Sequence, residues 1–346
     1  MSTAPYALGL VGARGHVGAE LLALLVGHPD FVLALATSRE RAGQPVASVA
    51  PGLPAGLLFE ALGPAACAAR RLDAYVLALP NGQAAEYAAA IGAERADAVI
   101  VDLSADHRFD ASWRYGQPER RRAELVGARR IANPGCYATA TQLALAPLVP
   151  RLDGPAHAFG ISGHSGAGST PSPRNDPARL RDTVLPYALV DHVHEREVSH
   201  QLGAAIAFSP HVAPFFRGLS VTVQAPIRPG ESLASLDAAF REAYEAEPLV
   251  RYLGPGEAPS ARDAVGRHDV LVGGLSLSRD GRRVGLAAAL DNLLAGAATQ
   301  ALRNLNLAFG LPENRGVPLP DLHRDVASPD DLRLAPAGDE TRGGAS

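Results

Sequence analysis

One stretch near the N-terminus reads Ala7-Leu-Gly-Leu-Val11 and continues as Gly12-Ala-Arg-Gly15-His-Val-Gly18. Its first five residues predict a short buried strand, and the glycines predict a tight turn that opens a helix over Ala19 to Gly27. Glycines let the backbone approach a pyrophosphate, whose charge the free N–H groups of a helix N-terminus can bind. The stretch therefore predicts a dinucleotide-binding unit, with a turn that serves only packing as the alternative.

Further apolar runs of strand length follow this turn, with helix-forming segments between them. They span Phe31 to Ala36, Tyr75 to Leu79 and Ala98 to Leu103, and Ala84 to Ile91 is one of the helical segments. Alternating strands and helices are typical of a parallel, doubly wound sheet. We therefore predict an α/β protein with a Rossmann-type domain, whose ligands bind beyond the carboxyl ends of the strands.

The character of the sequence changes after about residue 147. Strand-like runs are then separated by longer polar stretches, at Ala156 to Ile161, Leu219 to Pro226 and Arg283 to Leu290. A chain of 346 residues exceeds the size at which one core stops growing, so two domains are expected. We predict a Rossmann domain over 1–147, an α+β domain over 148–291, and a helix at about 292–312 that returns to the first domain. Residues 327–346 are predicted to form a flexible tail.

The composition argues against several classes of protein. Apolar residues make up 47% of the chain and charged residues 20%, with a net charge of −4, as in ordinary globular proteins. This balance gives no reason to expect a nucleic acid or an anionic membrane as a partner. The chain shows no signal-like start and no apolar run of membrane-spanning length, so a cytoplasmic location is expected. Its two cysteines, Cys67 and Cys136, predict no disulfide framework.

Thr37-Ser38-Arg39 stands at the predicted end of the second strand. A site that prefers NAD usually carries an acidic residue there, which holds the ribose hydroxyls. A hydroxyl and a guanidinium instead suit the 2′-phosphate of NADP, which a carboxylate would repel. We therefore expect NADP(H) as the cofactor, with a solvated surface charge as the alternative for Arg39.

Cys136 lies in Asn133-Pro-Gly-Cys136-Tyr-Ala-Thr139, where Pro-Gly predicts a turn and the next residues predict a helix. The partial positive charge of a helix N-terminus lowers the pKa of a thiol and so favours the nucleophilic thiolate. Cys67 has no such setting and is predicted to be a small packed residue. The context favours Cys136 as a nucleophile over the alternative of a buried filler.

A histidine segment reads Asp191-His-Val-His194-Glu-Arg-Glu197. Histidine is the commonest general acid or base near neutral pH. If the segment is helical, His194 and Glu197 share a face, and Glu197 could orient the imidazole ring. A solvated helix start and a metal site are the alternatives, and no third group of ligands supports a metal. We predict that no metal is bound.

In order and spacing, the motifs resemble those of the N-acetyl-gamma-glutamyl-phosphate reductase family of arginine biosynthesis, which is related to aspartate-semialdehyde dehydrogenase. The likeness extends from the N-terminus to about Gly310. It rests on Gly12-x-x-Gly15-x-x-Gly18, Ser38-Arg39, Leu79-Pro-Asn81-Gly82, Asp102-Leu-Ser-Ala-Asp106-His-Arg108, Asn133-Pro-Gly-Cys136, Ser165-Gly-Ala-Gly168, His192-Val-His194-Glu-Arg-Glu197, Pro210-His211, Arg217-Gly218, Asp291-Asn292 and Gly296-Ala-Ala.

The resemblance implies NADPH-dependent reduction of an acyl phosphate to an aldehyde and inorganic phosphate, through a thioester on Cys136. His194 would be the acid/base, supported by Glu197, and residues 148–291 would be the catalytic and oligomerisation domain of a homodimer or homotetramer. The implied substrate contacts are Arg108, Asn133, Ser165, His192 and Arg217. The implied cofactor contacts are Gly12, Arg14, Gly15, His16, Val17, Gly18, Ser38, Arg39, Asn81, Gly82, Gly166 and Asn292.

The chain departs from the family pattern at four positions, one of which is Ala295, where a lysine is usual. Val193 and Ser169 stand where basic residues are usual, and Arg196 replaces a proline. The group that holds the substrate phosphate or carboxylate is therefore open. Arg108, Arg174 and Arg217 are candidates, because a guanidinium binds oxyanions bidentately, and a surface charge is the alternative for each. The carrier-bound aminoadipate phosphate of lysine synthesis is an alternative substrate, and a non-catalytic NADP sensor is an alternative function.

Overall fold

The computed structural model describes residues 5–319. The tail predicted over 327–346 lies outside these residues. Two seven-stranded sheets make up the described chain, the first formed by residues up to Ala132 and the second by residues from Ala156. The predicted boundary at 147/148 falls within the 3₁₀ turn Ala146–Arg151 between them. The division into domains stays a prediction.

The first sheet is parallel throughout and has the strand order β3-β2-β1-β4-β5-β7-β6. The order reverses at β1, as it does in doubly wound sheets that bind dinucleotides. Its strands are β1 (Tyr6–Val11), β2 (Phe31–Thr37), β3 (Phe59–Glu60), β4 (Ala74–Leu77), β5 (Val99–Asp102), β6 (Arg114–Tyr115) and β7 (Arg130–Ala132). The predicted Rossmann-type α/β fold is confirmed.

The second sheet is mixed, with the order β12-β13-β14-β11-β8-β10-β9. β8 pairs in parallel with β10 and antiparallel with β11, which in turn pairs antiparallel with β14. Its strands are β8 (Ala156–Gly163), β9 (Leu185–Pro186), β10 (Ile206–Ala213), β11 (Leu219–Pro226), β12 (Val250–Tyr252), β13 (Val270–Leu277) and β14 (Arg283–Leu290). The predicted α+β character of this part is confirmed.

Helices cover both faces of the first sheet and one face of the second. They are α1 (His16–Leu25), α2 (Pro64–Ala68), α3 (Ala84–Glu94), α4 (Pro118–Leu125), α5 (Cys136–Leu145), α6 (Pro177–Leu180), α7 (Val193–Leu202), α8 (Leu233–Tyr244) and α9 (Thr299–Ala308). Short 3₁₀ turns occupy Val46–Ser48 and His164–Ala167. The other face of the second sheet exposes His157, Phe159, Thr222 and Gln224.

The C-terminal helix predicted at about 292–312 has two parts. A π-helical turn spans Leu294–Ala298, and α9 follows it. Every residue of α9 is buried, and Ala301, Leu302 and Leu305 share a core cluster with the strands of the first sheet. The helix therefore packs on the first sheet.

Candidate active site

The glycine turn leaves open space at the N-terminus of α1. A side chain on Gly12, whose φ is +85°, would overlap the carbonyl oxygen of Ala78, and one on Gly18 would lie 2.7 Å from the backbone of Ala13. Gly15 caps α1, and a Cβ there would meet no atom within 4 Å. The first N–H groups of a helix have no partner within it. The turn therefore fits a dinucleotide pyrophosphate, because it combines free donors with room for the phosphates.

A cleft of about 720 Å³ adjoins this turn. Its wall includes His16 at the start of α1, His164, Phe216 and the loop from Gly168 to Arg179. The His16 ring meets Phe216 edge-on, with 5.1 Å between centroids. Burial, followed by the charge of His164, lowers the pKa of His16. The cleft is thus walled by the glycine turn of the first sheet and by loops of the second.

Ser38 and Arg39 follow the end of β2, where the sequence places the 2′-phosphate site. Ser38 is buried and its Oγ accepts a hydrogen bond from the Arg41 N–H at 3.2 Å, whereas Arg39 is exposed. The next residue, Glu40, forms an ion pair with Arg14 of the glycine turn. Because Arg14 balances the charge of Glu40, this neighbouring carboxylate does not neutralise Arg39.

Asn81 and Gly82 lie past the end of β4 and are held by Asp106. The Asp106 carboxylate accepts hydrogen bonds from the N–H groups of Gly82 at 2.6 Å and of Ala84 at 3.0 Å. The Asn81 side chain accepts one from the Ala105 N–H at 3.0 Å. The acidic residue in Ser104-Ala-Asp106 thus fixes the loop that the sequence assigns to the cofactor.

Cys136 is the first residue of α5, as predicted, and Gly135 is its N-cap. The thiol lines a cavity of about 30 Å³ together with His194, Tyr187, Arg174 and Gly166. Burial raises the pKa of Cys136 to about 11, while the backbone N–H of Tyr137 and the charge of Arg108 act in the opposite direction. The expectation that the helix terminus alone lowers this pKa is therefore wrong, because desolvation is the larger effect.

His194 lies against Gly135, the residue before the nucleophile. A side chain on Gly135 would overlap the Nε2 and Cδ2 atoms of the imidazole. Burial and the charges of Arg108 and His192 hold the pKa of His194 well below its usual value, so that the ring is neutral. Its buried Nδ1 has no hydrogen-bond partner within residues 5–319. A neutral imidazole and a neutral thiol therefore line the same cavity.

Glu197 does not orient the imidazole as the sequence suggests. It is fully buried, and its carboxylate accepts hydrogen bonds from the Gly135 N–H at 3.0 Å, from Tyr115 at 2.7 Å and from Arg108 at 3.0 Å. On α7 it shares a helix with His194 but contacts the turn that precedes α5. Its position supports the cysteine turn rather than the histidine.

Arg108 and Asn133, both predicted to contact the substrate, are engaged within the protein. Arg108 also donates to the carbonyl oxygens of Asn133 at 2.9 Å and Leu103 at 3.0 Å. The Asn133 side chain accepts a hydrogen bond from Asn304 at 2.9 Å and is 1% exposed. Their side chains therefore hold the site together instead of presenting free donors to it.

Arg217 bridges the two sheets. Its guanidinium pairs with Glu20 of α1 at 2.9 Å and with buried Asp291, beyond β14, at 2.7 Å. Both carboxylates raise the pKa of Arg217 against the effect of burial. With two carboxylate partners, Arg217 is poorly placed to hold the phosphate of a substrate.

Ser165 and Asn292 are joined by a hydrogen bond. The Asn292 amide donates to Ser165 Oγ at 2.9 Å and accepts from the Gly218 N–H at 2.8 Å, and both side chains are buried. Gly166 is exposed at the cavity, and a side chain there would lie 2.9 Å from Ser162 Oγ. Of these three residues, Gly166 is the one on the cavity wall.

His192, predicted to lie near the substrate, is the N-cap of α7. Its Nδ1 accepts a hydrogen bond from the His194 N–H at 3.1 Å. Burial, followed by the charge of Arg174, lowers the pKa of His192 to about 4. The ring meets His194 and Tyr187 edge-on, with centroids 4.8 Å and 5.5 Å away. His192 is thus a neutral neighbour of the cavity.

Tyr187 is a cavity residue that sequence reasoning does not find. Burial raises its pKa to about 12, and its N–H donates to the Pro210 carbonyl at 3.2 Å. The guanidinium of Arg174 lies over the Tyr187 ring, 4.9 Å from the centroid. An aromatic residue in a loop without regular structure carries no signal in a single sequence.

Two further observations concern metals and membranes. Within residues 5–319, no group of three His, Cys, Asp or Glu side chains could hold a metal ion. In the same part of the chain, no helix is long and apolar enough to cross a membrane. The predicted absence of a metal stays a prediction.

Two family models match the sequence. Residues 7–128 match "Semialdehyde dehydrogenase, NAD binding domain", and residues 136–292 match "Semialdehyde dehydrogenase, dimerisation domain". Together they span most of the described chain. Their order along the sequence is that of the two sheets.

Curated relatives are similar over nearly their whole length. An N-acetyl-gamma-glutamyl-phosphate reductase of Stenotrophomonas maltophilia (strain R551-3) is 50% identical over 318 residues, which are 92% of this chain and 100% of the relative. One from Xanthomonas campestris pv. campestris (strain B100) is 50% identical over 313 residues, 90% of this chain and 98% of the relative. In each case the aligned residues span both sheets.

Solved structures share the fold at low identity. Aspartate semialdehyde dehydrogenase II complexed with ASA from Vibrio cholerae superposes with a TM-score of 0.70 at 18% identity, covering 88% of this chain and 98% of that one. Aspartate semialdehyde dehydrogenase with NADP from Candida albicans gives 0.69 at 15% identity, covering 88% and 99%. At these identities the likeness establishes the fold alone.

Proposed function

The chain belongs to the N-acetyl-gamma-glutamyl-phosphate reductase family, and on that premise we propose that it reduces N-acetyl-gamma-glutamyl phosphate to N-acetylglutamate 5-semialdehyde, with release of phosphate. The names of the relatives favour this reading over the carrier-bound aminoadipate substrate and over a non-catalytic sensor. The observation that carries the proposal is the meeting of Cys136 and His194 in one cavity.

NADPH is the proposed cofactor. The open turn at Gly15 fits its pyrophosphate, and exposed Arg39 with Ser38 would hold the 2′-phosphate. Asn81 and Gly82 would line its path along the sheet edge. When bound, NADPH supplies the hydride that reduces the carbonyl carbon held on Cys136.

The first chemical step is a displacement by the thiol. As the bond from Cys136 Sγ to the acyl carbon forms, the thiol proton passes to His194 and the bond from that carbon to the phosphate oxygen breaks. A neutral imidazole is the form that can accept this proton, and the lowered pKa keeps His194 in that form. The products are a thioester on Cys136 and inorganic phosphate.

The second half of the reaction returns the proton. Reduction of the thioester carbonyl leaves an oxyanion, which takes the proton from His194. The resulting thiohemiacetal then collapses, its carbon–sulfur bond breaks, the aldehyde leaves and the thiol is restored. Glu197 contributes by fixing the Gly135 N–H, and so the start of α5, throughout.

Phosphate-dependent reduction of NADP with N-acetylglutamate semialdehyde tests the proposal in the reverse direction. The wild type should turn over, Cys136→Ser should lose essentially all activity, and Cys67→Ala, a change remote from the cavity, should retain it. NADP binding without turnover by the wild type would reject this substrate.

An oligomeric assembly is also proposed. The match to a dimerisation domain over 136–292 and the sheet face that exposes Phe159 support a homodimer or homotetramer. Light scattering during gel filtration would distinguish these two states from a monomer. A cytoplasmic location stays a prediction.

A further inference from the structure

We propose that Arg174 binds the α-carboxylate of the substrate and so selects an amino-acid-derived acyl phosphate. This assignment rests on the proposed function and names the group that determines its specificity. A resemblance to the family leaves the anion-binding arginine open, because Val193 and Ser169 stand where basic residues are usual.

Arg174 is the permanent cation on the wall of the Cys136 cavity. The chain contains no lysine, so its permanently charged cations are all arginines. Within residues 5–319, Arg174 is the one arginine among the residues that line this cavity. The cavity histidine, His194, is neutral. A substrate that carries a phosphate and a carboxylate therefore encounters one permanently charged cation on the described wall of this cavity, Arg174.

The other two candidates are neutralised by carboxylates. Arg108 is paired with Glu197, and Arg217 is paired with both Glu20 and Asp291. Arg174 makes no ion pair with a carboxylate of residues 5–319 and lies over the face of Tyr187. One of its N–H groups hydrogen-bonds the Tyr187 hydroxyl, and the others stay available for a bidentate carboxylate.

The position of Arg174 favours the carboxylate over the phosphate. The phosphate is bonded to the carbon that Cys136 attacks, whereas three carbon atoms separate that carbon from the α-carboxylate. Cys136 responds most to the charges of Arg108 and Glu197, while Arg174 acts on Tyr187 and His192. Arg174 is also exposed. It therefore lies at the outer end of the cavity, where the tail of the substrate emerges.

The small size of the cavity also indicates that the substrate tail extends from Cys136 toward Arg174. Its volume of about 30 Å³ can hold only a few water molecules. A bound acyl group must therefore extend outward from Cys136, past Tyr187. This path leads toward Arg174.

In the reverse reaction the phosphate and the α-carboxylate lie on different substrates, inorganic phosphate and the semialdehyde. The effect of a mutation on the binding of each anion can therefore be measured separately. Arg174→Gln should raise KM for N-acetylglutamate semialdehyde about 10- to 100-fold, as loss of a charged hydrogen-bonded pair does. KM for phosphate and for NADP should change less than about twofold. Arg174→Lys, which keeps the charge, should lie between wild type and Arg174→Gln. Arg181→Gln, an exposed arginine of the same loop, is the matched control and should behave as wild type.

A substrate without the carboxylate completes the test. With 4-acetamidobutanal, wild type and Arg174→Gln should have equal kcat/KM, because the group that Arg174 binds is missing. A penalty that persists with this aldehyde would overturn the assignment in favour of a structural role. A rise in KM for phosphate instead would assign Arg174 to the phosphate. If the wild type itself turns over neither aldehyde, the proposed function fails, and this assignment fails with it.

Discussion

The Glu197 carboxylate accepts a hydrogen bond from the backbone N–H of Gly135 at 3.0 Å, so a buried charge on α7 holds the turn that carries the nucleophile on α5. The same carboxylate pairs with Arg108 and binds Tyr115. One residue thus connects the first sheet, the cysteine turn and the histidine helix. Its removal should affect stability and catalysis together.

Glu197→Gln should lower the free energy of unfolding by about 3 kcal/mol, because it leaves the buried Arg108 guanidinium without a counter-charge. Its kcat should fall as well, since the start of α5 loses its fixed position. Urea denaturation and initial rates measure the two effects. Glu242→Gln, an exposed glutamate on α8, is the control, and an equally stable, fully active Glu197→Gln would contradict this role.

Gly296→Ala should displace the nucleophile. A Cβ at position 296 would lie 2.7 Å from the Cys136 Cβ and 3.0 Å from a Leu290 methyl group. One of these groups must shift, and a small misplacement of reacting groups can reduce kcat about 100-fold. Steady-state kinetics of Gly296→Ala beside Gly56→Ala, which meets no atom within 4 Å, would check this. Equal rates for the two variants would show that the site can accommodate the methyl group.

The raised pKa of Cys136 sets the pH dependence of its alkylation. Because burial moves this pKa up to about 11, the thiol stays protonated through neutral pH and the reactive thiolate fraction grows with increasing pH. The rate of iodoacetamide labelling should therefore rise about tenfold per pH unit between pH 7 and pH 10. Peptide mass spectrometry would separate Cys136 from Cys67. A rate that levels off near pH 7 would instead indicate a thiolate paired with a protonated imidazole.

Two glycines of the cofactor turn should respond differently to alanine. At Gly15 the methyl group enters open space, so stability should change by less than about 1 kcal/mol while the Kd for NADPH rises at least about tenfold. At Gly18 it would lie 2.7 Å from the Ala13 backbone, which should cost about 1–3 kcal/mol of stability. Calorimetric titration and thermal unfolding measure both variants. Unchanged NADPH binding by Gly15→Ala would remove the turn from the cofactor site.

The first sheet is largely predictable from sequence because its strands are continuous apolar runs. The run from Phe31 predicts β2 to within one residue, whereas β4 ends at Leu77, two residues before the predicted end. β10 is not predicted, because Pro210 interrupts it and lacks an N–H to donate. Proline is nevertheless accommodated there, in parallel register with Gly160 of β8.

The candidate site is predictable where chemistry is local and unpredictable where it depends on distant partners. The turn before Cys136 is formed by consecutive residues, so the position of Cys136 at the start of α5 follows from the sequence. The partners of Glu197 and the carboxylate partners of Arg108 and Arg217 lie 62 or more positions away, and no spacing reveals them. Desolvation of Cys136 is likewise a product of the complete fold, which explains why the direction of its pKa shift is missed.

The π-helical turn Leu294–Ala298 sets the rotation of everything that follows it. A π turn holds one residue more than an α turn, and each α-helical residue turns the chain by about 100°. If the same residues were wound as an α-helix instead, α9 would be rotated about its own axis by nearly a third of a revolution. Gln300 and Asn304, which now bond to the Gly116 carbonyl oxygen, would turn toward the apolar neighbours of Ala301 and Leu305. The extra residue thus acts as a spacer that brings Gly296 against the nucleophile while keeping the polar side of α9 in phase with its partners.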